Sequence, residues 1–222
     1  MVVSIKHIFL STWWVWRRDD GAPSFVFSLS CLLLLLFCTA CHRSNIPGTD
    51  EEHAYDHLQL KGKWKEIVQK DERTPTQSLA CRKVVEYAQC QLGVGSRATL
   101  HRCLEDSHDV LTSPTSALMM SDIYMRLGMV AMAQRAAFEA MVKMGDVKHC
   151  ERPLRRLAEV ALITGETDLV LKYASLLEDF SASRKWAQQM KQLALHPEFI
   201  GEESAYGKLK KQYEHTEDEF FL

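Results

Sequence analysis

The sequence predicts an all-α fold of antiparallel helical hairpins stacked as a degenerate solenoid. Three observations predict it. Apolar residues recur at helical spacing through most of the chain after residue 49. Gly62, Gly93, Gly128 and Gly165 punctuate those stretches at separations of 31, 35 and 37 residues. No stretch of alternating β-branched residues bounded by turns reads as a strand.

Residues 113–144 form the clearest unit. Ser113 stands at an N-cap and Pro114 at the first helical position, where a missing N–H costs nothing. Leu118, Tyr124 and Leu127 share a face with Ala117 and Met120, and Gly128 ends the helix. The next helix carries Val130, Ala133, Ala137, Ala140, Met141 and Met144. Tyr124, Gly128, Ala133, Ala137 and Ala140 have the spacing of the tetratricopeptide repeat, a helix pair of about 34 residues. The unequal glycine separations make the array degenerate.

The other elements follow in order. Residues 1–40 read as a signal peptide of lipoprotein type. Arg17-Arg18 and Asp19-Asp20 precede an apolar run from Phe25 to Ala40, which ends in Cys38-Thr39-Ala40-Cys41. Small residues before Cys41 resemble the bacterial lipobox, making Cys41 the expected lipidation site. The run of about 16 apolar residues falls short of the ~20 that span a bilayer. An uncleaved anchor and plain secretion are the other readings. All three place the rest outside the cytoplasm, in the cell envelope, with inner and outer membrane left open.

Residues 41–49 are a tether, and 50–197 the helical-repeat domain. Thr49 and Glu52 suggest a capping box for a helix from Asp50. Trp64, Ile67 and Val68 face inward from a second helix. Thr74-Pro75-Thr76-Gln77 signals the start of a third, with Thr74 as cap and Pro75 at the first position. A partner helix is expected near 97–105. Pro153 is expected to open the next helix, Gly165 to end it, and a further unit starts near Ser183 and stops at Pro197. The charged C-terminal tail, 198–222, has room for a short helix at 205–213.

From Ser121 on, the chain resembles a known family. The segments Ser121-Asp122-Ile123-Tyr124, Leu127-Gly128-Met129, Ala133-Gln134-Arg135, Ala137-Phe138-Glu139-Ala140, Arg156-Leu157-Ala158-Glu159 and Lys185-Trp186-Ala187 carry the likeness. They are similar to an uncharacterised family of Bacteroidota envelope proteins with a tetratricopeptide-like soluble part, over residues 64–222. Members carry several membrane helices before that part, against one apolar run here. Tyr206-Gly207-Lys208-Leu209 and Asp218-Glu219-Phe220-Phe221 resemble a segment that continues into further helices, so the tail is expected to be truncated. The resemblance implies envelope location and helical repeats, and no activity.

Subtracting residues 1–40 leaves 24 basic and 27 acidic residues, a net charge of −3 that gives no basic footprint for nucleic acid. Gly93-Val94-Gly95-Ser96-Arg97-Ala98 has the letters of a dinucleotide loop, but a helix precedes it where a strand is required. A helix-ending glycine is the better reading, and no cofactor is expected. His53 and His57 are four apart, with Asp56 adjacent and Ala54 where H-E-x-x-H has Glu. They read as a surface pair, and no metal site is expected. Cys81, Cys90, Cys103 and Cys150 read as free, buried thiols, with a Cys90–Cys103 bridge as the alternative. Met119, Met120, Met125, Met129, Met132, Met141 and Met144 read as core filling. Arg152, Arg155 and Arg156 read as a solvated helix face, Arg155 able to pair with Glu159 at i,i+4, with a basic patch for an anionic partner as the alternative.

These features point to a lipid-anchored scaffold that is not an enzyme. It would be held at the membrane by its acylated N-terminus and bind an envelope protein or peptide. Exposed polar positions of the first helix in each pair, Asp122, Arg126, Arg155 and Glu159, are the candidate binding residues. A truncated structural remnant of a longer membrane protein family, and an enzyme or glycan-handling module with an unmarked site, are the alternatives.

Overall fold

In the computed structural model, residues 49–96, 100, 104 and 110–215 are described. They contain nine α-helices and no strand. Helix α1 spans Asp50–Leu60, α2 Trp64–Arg73, α3 Leu79–Gln91, α4 Pro114–Leu127 and α5 Val130–Met144. Helix α6 spans Glu151–Thr164, α7 Thr167–Leu177, α8 Arg184–Leu195 and α9 Ala205–His215. None of them is long and apolar enough to cross a membrane. The apolar run at 25–40 and Cys41 lie outside the described residues.

Local signals set most boundaries. Thr49 and Glu52 close a reciprocal capping box, each backbone N–H donating to the other's side chain at 3.1 Å. Ser113 caps α4 in the same way: the Ser116 N–H donates to Ser113 Oγ at 3.0 Å, and the Ser113 N–H to Ser116 Oγ at 2.8 Å. Gly62, Gly93, Gly128 and Gly165 all take positive φ at helix ends.

Two expected starts are corrected. The third helix is capped by Ser78, not by Thr74, which instead ends α2 in extended geometry. Thr76 is drawn into the turn: its N–H donates to Asp71 Oδ1 at 2.9 Å, and its hydroxyl accepts the Ser78 N–H at 3.2 Å. Those local bonds compete with helix formation at Pro75–Gln77. Helix α6 starts at Glu151, two residues before Pro153, which sits within the first turn where no N–H is needed. Most of the helix expected near 97–105 lies outside the described residues; Leu100 and Leu104 are helical and buried.

Successive helices pack on one another from α3 to α8, although α3 meets α4 across a long connection. Helix α4 also meets α1 and α6, and α6 also meets α8 and α9. Every residue of α4 except Arg126 is buried, because α1, α3, α5 and α6 surround it. The Ala133, Ala136 and Ala140 side chains of α5 are fully buried, letting α4 and α5 approach closely, while Ala137, expected between those paired helices, is fully buried in the core shared with α6. Ser121 Oγ crosses that contact to donate to the Ala133 carbonyl at 2.9 Å.

Helix α6 serves two apolar cores. Val160 and Ile163 join the core built by α1 to α5, while Leu154, Leu157, Ala158, Ala161 and Leu162 join the core shared with α7 and α8. Met119, Met120, Met125 and Met129 are buried, and Met132, Met141 and Met144 pack partly buried at the core edges. Cys81 and Cys150 are free and buried, and Cys90 is free and half-buried. Cys103 lies outside the described residues. Burial pushes the Cys81 thiol up to about 11.

Candidate functional site

The polar residues of α6 do not form a solvated face. Arg152 and Arg156 are one turn apart and turn inward, where the α1 and α4 surfaces meet α6. Arg152 holds Asp56 of α1 through two parallel bonds of 2.8 Å each. Its Nη2 also donates to Asp122 Oδ2 of α4 at 2.6 Å. Arg156 donates to the other Asp122 oxygen at 2.7 Å, and through Nη1 to Glu159 Oε2 at 2.7 Å. Glu159 Oε1 in turn accepts the Tyr206 hydroxyl of α9 at 3.1 Å. One chain of charge-assisted bonds therefore joins α1, α4, α6 and α9.

The electrostatics follow from that arrangement. Burial alone would raise the Asp122 carboxyl, but Arg152 and Arg156 outweigh it and hold the carboxyl below its ordinary range. Burial alone would likewise lower Arg152, and Asp122 and Asp56 reverse that and keep it charged. The Tyr206 hydroxyl is raised by burial and by the neighbouring Glu159 carboxylate, so it stays a donor. The Arg156 Nε–H is buried without a hydrogen-bond partner. Apart from that N–H, the three carboxylates and two guanidiniums pair with one another and brace α1, α4 and α6, and Glu159 accepts from the Tyr206 hydroxyl.

Of the residues expected to bind a partner, Asp122 is corrected most. It lies off the apolar stripe of α4, yet only 9 % of it is exposed, because Arg152 and Arg156 reach it from α6. Glu159 pairs with Arg156 rather than Arg155, since α6 turns the 156 side inward. Arg155 instead stacks over the Trp186 ring of α8, 4.6 Å from its centroid. Arg126 is exposed on α4, with its guanidinium 5.6 Å from the Trp64 centroid. The structure thus joins Asp122 and Glu159 in one network and leaves Arg126 and Arg155 outside it. Sequence reasoning missed Asp56, Arg152, Arg156 and Tyr206 as members. The i,i+4 pair of arginines was the available signal, ambiguous because the same spacing marks a solvated face.

Around the network lie two further features. Helix α9 rests on α6 with Tyr206, Leu209 and Tyr213 partly buried against the first core. Its Gln212 Nε2 approaches the Leu127 carbonyl at the end of α4, 3.5 Å away. Beside α9 an open cleft of about 130 Å³ is lined by Leu162, Thr167, Val170, Leu193 and Ile200, with Lys210 at its edge. His53 is half-buried and His57 exposed, and among the described residues no group of three potential ligands is placed to hold a metal ion.

No curated protein and no solved structure matches the chain. A family model covers residues 2–222, and the chain belongs to that family, DUF6057, a family of unknown function.

Proposed function

We propose that this chain is a non-catalytic helical-repeat scaffold, anchored in the cell envelope through acylated Cys41, that binds a helical protein or peptide segment. The observation that carries the reading is the seating of α9. A face built by α6 and the end of α4 accepts an amphipathic helix along its length, with a hydrogen-bond acceptor at each end. The order of packing supports a tetratricopeptide-like array: α4 with α5, α5 with α6, α6 with α7, and α6 with both α4 and α8. The lipobox-like Cys38-Thr39-Ala40-Cys41 and the resemblance to Bacteroidota envelope proteins support the anchoring.

The test is made in cells. A photo-crosslinking residue at exposed Arg126 is placed in the parent chain and in Cys41→Ala. The parent is expected to take up labelled lipid and to give discrete crosslinked species in the membrane fraction. Cys41→Ala is expected to lose the label and those species. A parent chain without lipid mass and without crosslinks overturns the reading.

A further inference from the structure

The turn between α1 and α2 breaks a local rule. It reads Leu60-Lys61-Gly62-Lys63-Trp64-Lys65. Helix starts favour carboxylates, because the macrodipole places positive charge there. Helix α1 obeys, with Asp50, Glu51 and Glu52 in its first turn. Helix α2 instead has Lys63 at its N-cap, without a side-chain capping bond, and Lys65 two residues later. Glu66 answers Lys63 at 2.7 Å. Lys61 and Lys65 are exposed and have no carboxylate partner among the described residues. Lys61 suits the C-terminal end of α1, but Lys65 opposes the dipole of α2 and no ion pair offsets it.

Apolar side chains surround these charges. Leu60 is 54 % exposed and Val94 79 %. Trp64 is half-buried, its ring edge-on to Tyr87 of α3 with 5.4 Å between centroids. The start of α2 thus meets α3 near its end, and the two helices run antiparallel. Leu92 and Val94 follow Tyr87 in the chain, so they project beyond Trp64 to the level of the Lys61–Lys63 turn. Arg126 of α4 lies over the Trp64 ring and marks the edge of this surface. One end of the helical domain therefore carries exposed Leu60, Leu92 and Val94 among three lysines, with an indole between them. Lysine stems cover apolar surface while their ammoniums reach outward, and an indole suits the boundary between apolar and polar layers.

We propose that this end is a membrane-contact tip, which docks on the headgroup layer of an anionic bilayer. Phosphate headgroups pair with the lysines left unanswered by Glu66, and the apolar side chains enter the interface. This deepens the anchored-scaffold reading and rests on it for the presence of a membrane.

The test uses the full chain with two sets of vesicles, phosphatidylglycerol and phosphatidylcholine in equal parts, and phosphatidylcholine alone. Vesicles are supplied, so the result does not depend on acylation at Cys41. A photo-crosslinking residue replaces Val94 and, in a control chain, Val142, which is 74 % exposed at the opposite end of the α4–α5 hairpin from Arg126. Mass spectrometry identifies the adducts. Lipid adducts at position 94 are expected with phosphatidylglycerol present, in excess over those at position 142. Each lysine at an anionic surface is worth about fivefold in partitioning, so Lys61→Gln with Lys65→Gln should lower the adducts at least about fivefold. Both positions are exposed, and helical circular dichroism should match the parent. Adducts at 94 that equal those at 142, persist undiminished in phosphatidylcholine alone, survive both lysine substitutions, or join a second copy of the chain instead of lipid overturn the tip. Arg126 is unaltered, so protein crosslinks from that position in cells test the scaffold separately. Their presence with no lipid adduct at position 94 removes the tip alone.

Discussion

Removing the Asp122 carboxylate is the sharpest test of how the two cores are joined. Asp122→Ala leaves Arg152 and Arg156 facing each other across a site that excludes water from the side chain of the missing acid. Deleting one partner of a buried ion pair costs about 3–5 kcal/mol. Here each arginine retains another carboxylate, Arg152 with Asp56 at 2.8 Å and Arg156 with Glu159 at 2.7 Å. The loss therefore belongs at the lower end, about 3 kcal/mol. For a domain of this size about 2–4 °C accompanies each kcal/mol, so the melting temperature should fall by roughly 6–12 °C at pH 7. The acid limb carries the sign. The folded carboxyl lies below its ordinary value of 3.8, so its contribution is present above that pH and is lost as pH falls through the folded pKa. The gap between parent and Asp122→Asn should be full at pH 5 to 7 and shrink only below about pH 3.8. Helical circular dichroism followed through melting at each pH measures both. A melting temperature for Asp122→Ala within about 2 °C of the parent would refute the bracing argument.

Further expectations follow from the same packing. Ala137 is fully buried in the second core, so Ala137→Trp should overpack it and cost about 1–3 kcal/mol or more, read as a lowered melting temperature. Cys81 is buried with its thiol near 11, so iodoacetamide at pH 7.5 should alkylate it only in denaturant; mass mapping checks this. Cys41→Ala should abolish lipid labelling and leave an unprocessed precursor by intact mass.

The helix order was legible because its signals are local. Ser113-Pro114, Thr49 with Glu52 and the turn glycines each act within four residues, and the structure uses them as the sequence spells them. Thr74-Pro75-Thr76-Gln77 misled because Asp71 and Ser78 offer Thr76 better local partners than a helix does. The bracing network was not legible, since its bonds span separations of 30, 34 and 96 residues. Whether Arg155 or Arg156 faces inward depends on the rotation of α6 about its own axis. Apolar periodicity sets that rotation poorly when both sides of a helix are covered. Helix α6 is such a case, with Val160 and Ile163 in one core and Leu154 and Leu157 in the other.

The same two-sided burial explains why charges belong at this joint. A helix buried on two sides meets apolar surface in several axial positions, and hydrophobic burial is non-directional. Hydrogen bonds between guanidinium and carboxylate are directional. Asp122 accepts Arg152 on one oxygen at 2.6 Å and Arg156 on the other at 2.7 Å, a geometry that one position of α6 against α4 satisfies. Shifting α6 by a single residue in register moves it about 1.5 Å and turns it by about 100°, which carries Arg152 and Arg156 away from Asp122. The fork from Arg152 to Asp56 fixes α1 in the same register. Replacing Asp122, Arg152 and Arg156 together by Leu, Met and Leu would preserve burial and remove the register. The Asp56 and Glu159 carboxylates, 14 % and 19 % exposed, would then lack a cation, so the melting temperature should fall below that of the parent. Apolar packing supplies the burial at this joint, and the ion pairs fix the position of α6 within it.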